Sequence, residues 1–399
     1  MKNVAFVLLV TCSFALGVLD ASAQTAKDVA VTYQINVLHT GAIYTPTLLP
    51  PLHVKWSVDL GATVSYPLIA EGKVFVIAGP SGSLVNLYAL DAQNGSIVWG
   101  PVLIPEGFYW WAAAAYDNGM IFVVPNTISG LQSGAMYAFA ASDGHQIWNT
   151  LLPGQYFFTA PPVAKNGVVY TGGAGVGGTV YAIRETDGTL LWTASVENGD
   201  NSSPVVTSKA VYVSYVCPQT YDFKPKTGAL IWHYSGPCEG GGGATPVLYK
   251  NLLYVRDWSR SINGHNGDIL DAVAGTYVGG FDADFAPAFQ GKNGFYVQSS
   301  GLNAVNAATN TTVWTATPAQ GDTYSSPPIV VNGVVYVGTY EGNLLGYRAG
   351  TGKRVVSLNM GYSIAAAETG SVGSPESGLG AGQGILVVPA STHLIALSH

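Results

Sequence analysis

Short runs of β-branched and aromatic residues recur along the chain, each bounded by Gly, Pro, Asn or Asp. Val74-Phe75-Val76, Ile121-Phe122-Val123, Val169-Tyr170, Val211-Tyr212-Val213, Leu253-Tyr254-Val255, Phe295-Tyr296-Val297, Val335-Tyr336-Val337 and Leu386-Val387-Val388 are of this kind and read as strands. Most follow a tight-turn pair, Asn118-Gly119, Asn166-Gly167, Asn293-Gly294 or Asn332-Gly333, which tolerates two left-handed residues in a row and so joins antiparallel strands. Ahead of each turn a further apolar strand is predicted. It often opens with a step such as Ser202-Ser203-Pro204, Ser325-Ser326-Pro327, Ala244-Thr245-Pro246 or Gly373-Ser374-Pro375. No stretch long enough for a helix shows helical spacing of its apolar residues.

A second line repeats as often: an Ala or Tyr start, a polar turn ending in Gly, then a Trp. It runs Ala89 to Gly95 and Trp99, Ala138 to Gly144 and Trp148, and Ala182 to Gly188 and Trp192, with weaker copies reaching Trp232 and Trp314. Two copies lack the Trp; the sequence puts Asp271 and Val356 in its place, after Gly267 and Gly352. With Trp56 as the first member, the positions recur about every 43 residues, giving eight units. Units of that length with four short strands each predict an all-β fold, an eight-bladed β-propeller of four-stranded antiparallel blades. One blade cannot bury both its faces, so the ring must close. The last unit, ending at His393-Leu-Ile-Ala-Leu397, is one strand short, and Leu52 to Leu60 supplies a lone strand near the start. That N-terminal strand is expected to complete the last blade and remove an exposed edge.

Residues 1–23 read as a secretory signal, with Lys2, an apolar stretch and the small-residue cleavage site Ala21-Ser22-Ala23. Segment 24–50 would be an N-terminal arm on the ring and 51–399 the propeller. The protein is expected in the periplasm or outside the cell after cleavage near Ala23-Gln24. Two cysteines then remain, Cys217 and Cys238, and an even count in an exported chain suggests a disulfide. Both fall in loops of one face, so a bridge closing about 20 residues would contribute roughly 3 kcal/mol in the chain-entropy account. Charged residues are only 10% of the chain, against roughly 25% in an ordinary soluble domain, so its surface is built from Ser, Thr, Asn, Gln and Tyr. A net charge of −7 excludes nucleic acid as a natural partner, while 48% hydrophobic residues exclude a disordered chain. A monomer is expected, with no spanning segment after processing.

The line Ala89-x-Asp91-x-x-x-Gly95-x-x-x-Trp99 resembles the tryptophan-docking repeat of the PQQ-like, quinoprotein-type β-propellers, over nearly all of the chain after the leader. The resemblance implies that Trp56, Trp99, Trp148, Trp192, Trp232 and Trp314 wedge between neighbouring blades rather than touch a ligand. It also implies one of two functions. Large members are dehydrogenases that hold PQQ and calcium; smaller ones are binding scaffolds. This chain has no vicinal cysteine pair and no Cys-x-x-Cys-His, which points to the scaffold kind and to no bound cofactor.

Loops entering the innermost strands and loops joining second to third strands share one face. They carry Tyr109, Trp110, Trp111, Phe157, Phe158, Asp284, Asp322 and Tyr324, with Arg256 and Trp258 from a second-to-third loop. Together these would form an aromatic, partly acidic funnel at the axis, fit for a protein partner, a carbohydrate ring or another flat ligand. The alternative is that the rings plug a wide axis. Gly173-x-Gly175-x-x-Gly178 precedes a strand rather than a helix and reads as a hairpin, not a pyrophosphate site. Asp282-x-Asp284 offers too few oxygens for calcium, and the histidines show no metal-ligand spacing. The expected function is therefore non-catalytic binding or scaffolding through the funnel face. The rival is a PQQ-dependent oxidoreductase with Arg256 or Arg260 near the quinone and Asp284 or Asp322 as base, and a carbohydrate-binding propeller is a third reading.

Overall fold

A computed structural model describes residues 28–79, 84–105, 112–125, 133–158, 160–175, 177–197, 202–215, 217–236, 244–256, 264–298, 301–364 and 377–399. Among these residues there are eight antiparallel blades and no helix. Blade 1 shows the order: Leu68–Ala70 innermost, then Lys73–Ala78, Asn86–Asp91 and Ile97–Leu103 outermost. Blades 2 to 7 repeat it over 112–153, 163–196, 205–235, 247–281, 288–316 and 329–359. Blade 8 takes three strands from 380–398, and His53–Asp59 pairs antiparallel with His393–Ser398 as its outer strand. The ring is closed by joining the two ends of the chain in one sheet.

The turns follow the sequence with one shift. Asn118-Gly119, Asn166-Gly167 and Asn332-Gly333 all have positive φ at both residues, the twist a two-residue hairpin requires. In blade 6 the turn is instead Gly291-Lys292, and Asn293-Gly294 opens the second strand Asn293–Gln298. Gly291 takes the left-handed role, which frees Asn293 to pair with Asn306. Gly173, Gly175 and Gly178 lie on a hairpin between Val168–Ala174 and Gly178–Arg184.

Each of the six repeat tryptophans joins its blade to the next. Its indole Nε1 donates to a carbonyl in the following blade's turn: Ala92, Ala141, Glu185, Pro225, Ala272 and Ala349, at 2.7–3.2 Å. The ring lies flat on the turn glycine, so a Cβ on Gly95, Gly144, Gly188, Gly228, Gly275 or Gly352 would fall 2.5–2.8 Å from it. Behind five of these rings stands the central aromatic of the same blade's second strand, Phe75, Phe122, Tyr170, Tyr212 or Phe295, at 5.8–5.9 Å between centroids. The two sequence repeats are thus halves of one contact.

The register of the fifth copy differs from the sequence expectation. Asp271 holds the turn amides of Val273 and Ala274 at 2.8 Å, as Asp91 holds Gln93 and Asn94. Gly275 is the turn glycine, and Gly279 occupies the Trp position, since it pairs with Ile269 as Trp99 pairs with Ala89. Gly267 has the look of the turn glycine but lies at the start of the third strand, paired with Phe281. With no Trp at this junction, blade 6 has no need of a glycine there. Asn310 takes the left-handed turn (φ 53) and donates to Gly280 O at 2.9 Å. Tyr254, freed of a Trp partner, packs with Phe281, Phe289 and Tyr296. Val356 faces blade 8, whose outer strand comes from the other chain end and so brings no turn glycine.

Innermost strands leave a row of backbone groups facing the axis, a cost unless paired. The N-terminal arm runs around the axis and pairs them blade by blade. Ala30 exchanges both bonds with Ile69 of blade 1 (3.0 and 2.8 Å), Val31 O accepts from Tyr116 N of blade 2, and Thr32 Oγ1 donates to Pro162 O before blade 3. Carbonyls of Val37, Leu38 and Thr40 accept from Val206, Leu248 and Phe289 of blades 4, 5 and 6. Ala42–Ile43 then adds as a parallel fifth strand to blade 7. Thr45 Oγ1 closes the circuit at blade 8, accepting from Gly384 N at 2.8 Å and donating to Asp28 at 3.0 Å.

Candidate functional site

The face expected to carry the funnel is where the innermost strands begin. Tyr109, Trp110, Trp111, Trp258 and Arg260 lie outside the described residues. The remaining predicted residues divide into core and rim.

Phe158 and Tyr324 belong to the core and do not line an opening. Phe158 is wholly buried, its ring set between Gly134 of blade 2 and Gly173 of blade 3 where any Cβ would collide with it, and tilted on Tyr181. Tyr324 is buried and its hydroxyl meets that of Tyr347 at 2.8 Å; burial and that neighbour hold its pKa far above the ordinary phenol range. Apolar inward positions at a strand entrance look alike in sequence whether they point to the axis or between blades, so the pattern did not separate them.

Phe157 stays half-buried at the rim. Its backbone bridges Ala174 (2.8 and 2.9 Å), and its ring meets Tyr156 edge-on at 5.8 Å. Asp322 is half-buried and accepts from Asn343 Nδ2 at 2.9 Å. Asp284 donates its amide to Val297 O at 2.7 Å, and its carbonyl accepts from Nη1 of the buried Arg256 at 3.1 Å. Arg256 therefore crosses from blade 5 to the entrance of blade 6. Beside it, Asp282 accepts from His265 Nδ1 at 2.8 Å and from Asn266 N at 3.1 Å, and Asn266 clamps both backbone groups of Ala283. Asp282 is thus not simply a solvated loop carboxylate, while Asp284 is held through its backbone. His265 and Asn266 had no sequence signal, because the contact spans a loop whose closure only the ring defines.

The axis beneath this rim is filled by the arm. His39 is fully buried, Nδ1 on Tyr33 O and Nε2 on Pro204 O, both at 2.9 Å. Burial pulls its pKa below 6.5 even though both carbonyls favour the charged ring. Gln34 Nε2 donates to Ala286 O, and Tyr33 meets Tyr66 edge-on at 5.7 Å. Tyr66 itself is locked, its hydroxyl donating to Ala114 O and accepting from Ala114 N. Among the described residues it is arm side chains that fill the axis. Among the described residues no group of three or more His, Cys, Asp or Glu is placed to hold a metal ion. Arg256 holds a backbone carbonyl through Nη1, and the two candidate bases sit in different junctions. What the described rim offers is a rigid, mixed aromatic and polar surface over a sealed floor. Cys217 is buried with φ 64; Cys238 lies outside the described residues.

Comparison with known proteins agrees with this architecture. The chain is 25% identical over 235 residues to the tetrathionate hydrolase of Acidithiobacillus ferrooxidans, covering 44% of this chain but only 46% of the hydrolase. It is 23% identical over 312 residues to outer membrane protein assembly factor BamB of Yersinia pestis, covering 72% of this chain and 76% of that factor. In structure it is similar to the quinohemoprotein alcohol dehydrogenase of Comamonas testosteroni, with a TM-score of 0.70 at 13% identity over 93% of this chain and 80% of the enzyme; at that identity the likeness shows the fold alone. The family described as outer membrane protein assembly factor BamB matches three overlapping stretches, 87–235, 132–273 and 258–398. These span most of the chain, and the protein therefore belongs to the PQQ-like β-propeller family of BamB.

Proposed function

We propose that this protein is an exported, non-catalytic scaffold that presents the rim face of its propeller to a protein partner. The family match across 87–398 carries this reading. The name of the Yersinia relative refers to the assembly of outer membrane proteins, and a leader over 1–23 would deliver this chain to the same side of the inner membrane. The site geometry supports it. Among the described rim groups Asp282 is paired with His265, Asp322 with Asn343 and Arg256 with a backbone carbonyl, which suits a recognition surface better than proton transfer. Phe157 and Tyr156 are the described aromatic anchors. A Cys217–Cys238 bridge would fix the loop of blade 4 on that face.

The test uses the mature protein in two experiments. First, purified protein is loaded with PQQ and Ca²⁺ and assayed for alcohol-dependent dye reduction, and separately for loss of tetrathionate. No retained quinone and no turnover are expected; stoichiometric PQQ with substrate-dependent reduction, or tetrathionate consumption, makes it an enzyme. Second, a photocrosslinking residue at position 157 is compared with one at position 94, in a turn on the opposite face. Adducts to one protein from position 157 alone are expected. Equal labelling from both, or retention on a polysaccharide column that Phe157→Ala abolishes, rejects a protein-facing rim.

A further inference from the structure

The arm buries Ala30, Tyr33 and Ile35, but others of its apolar residues stay on the outside. Its polar side chains Thr32, Gln34, His39 and Thr45 are buried against the ring, while Val29, Val31, Val37, Leu38 and Ala42 are only half-buried. Together with Ile43 these apolar groups line a cup of 710 Å³ enclosed by the loop of the arm. It opens on the face of the first hairpin turns, opposite the rim. That volume is in the range of small-molecule sites, and an open apolar concavity of this kind is unusual on a protein surface unless something fills it. It cannot collapse, because the arm is bonded to the blades all the way round.

The wall is not uniform. On the side of blades 3 and 4 it turns polar, with Lys165 and Asn166 from one hairpin turn and Thr207 and Ser208 from the next. These same four residues border a second hollow of 220 Å³ that leads outward between the two blades, past Tyr170 and Pro225 to Lys226. None of the ion pairs among the described residues engages Lys165 or Lys226, and no carboxylate lines either hollow. In a chain with more Asp and Glu than Lys and Arg, two ammonium groups flanking one groove, with no acid lining it, select the sign of what enters.

We propose that this cup binds a small amphiphile with one anionic head, of the alkyl carboxylate class. The alkyl chain lies against Val31, Val37, Leu38 and Ile43. The head points to the Lys165 ammonium and to the hydroxyl of Ser208, which donates to it, while the Thr207 hydroxyl stays bonded within its own turn. The inference is independent of the rim reading, since it concerns the opposite face and requires no partner protein.

Decanoate is the probe, titrated calorimetrically into the mature protein below its micellar range, with decanol and decyltrimethylammonium as controls. Saturable 1:1 binding of decanoate is expected, at least tenfold tighter than decyltrimethylammonium. Lys165→Gln should weaken decanoate roughly tenfold to a hundredfold, the scale of one charge-assisted bond, and leave decanol unchanged. Ser208→Trp at the exposed mouth and Val37→Trp on the wall should each abolish binding. The first is placed where folding is not at stake. Non-saturable uptake, binding unaffected by either tryptophan, or equal affinity for the cationic and anionic probes overturns the proposal.

Discussion

Gly228→Ala puts the blade-docking contact to its sharpest test. Gly228 lies at φ +65 in the last turn of blade 4, under the indole of Trp192 from blade 3. A Cβ there would sit 2.6 Å from Cε3 and 2.7 Å from Cδ2 of that ring. A methyl has no rotamer to escape through. The indole cannot retreat either, being tied to Pro225 O at 2.8 Å and backed by Tyr170 and Phe223. Two costs add. A side chain in the left-handed region costs about 1–2 kcal/mol, and forcing one extra carbon into a filled contact about 1–3 kcal/mol. The single variant should therefore lose about 2–5 kcal/mol. Trp192→Ala alone removes the wedge and should lose about 3–5 kcal/mol. In the Trp192→Ala background the collision is gone, so Gly228→Ala should cost only the backbone part, about 1–2 kcal/mol. The cycle thus predicts a coupling of about 1–3 kcal/mol, read from urea unfolding of the four proteins by circular dichroism. An equal cost of Gly228→Ala in both backgrounds would falsify the reasoning, since the ring would then not be what the glycine accommodates.

The junction of blades 5 and 6 gives the converse: Gly279→Trp with Asn310→Gly should be more stable than Gly279→Trp alone by about 1 kcal/mol or more, because a Trp there needs the glycine that Asn310 replaced; urea midpoints decide, and no difference breaks the pairing of Trp with glycine. Burial holds the carboxyls of Asp222 and of Glu185, the latter also facing Asp117, up to about 7, so their contribution is fully present below the ordinary carboxylate pKa and is lost as pH rises toward 7. Asp222→Asn should accordingly lose less stability than the parent between pH 5 and 7.5, and parallel profiles would contradict a neutral buried acid. His39 works in the other sense, its depressed pKa making stability fall as pH drops below 6.5; His39→Gln should flatten that acid limb in thermal unfolding while lowering the melting temperature at pH 8, and an unchanged limb places the titration elsewhere.

Much of the fold was legible because propellers write their architecture in a period. Each Trp, turn glycine and second-strand aromatic recurs at fixed offsets, and Trp99, Gly144 and Phe75 meet because the ring forces consecutive units together. Where a unit lost its Trp the period alone misplaced it, at Asp271 instead of Gly279, since Gly267 mimics the turn residue and only strand pairing resolves the register. The rim was less legible. Phe157 and Phe158 are adjacent and alike in sequence, yet one reaches the rim and the other fills the gap between two glycines of different blades. The Arg256–Asp284 and His265–Asp282 contacts join loops on either side of a blade boundary, a distance no local pattern encodes. The arm was the least legible part. Its residues 28–45 show no repeat and no regular alternation, because each pairs with a different blade at its own angle.

The account rests on that arm lacing the eight blades into one closed unit, and native-state hydrogen exchange reads it directly. Amides of Tyr116, Val206, Leu248, Phe289 and Val330 have arm carbonyls as their acceptors. They should exchange as slowly as amides inside the second strands of the same blades, and together, at the rate of global unfolding. Exchange of these five at the rate of an exposed edge, with the second strands still protected, would mean that the arm does not occupy the axis.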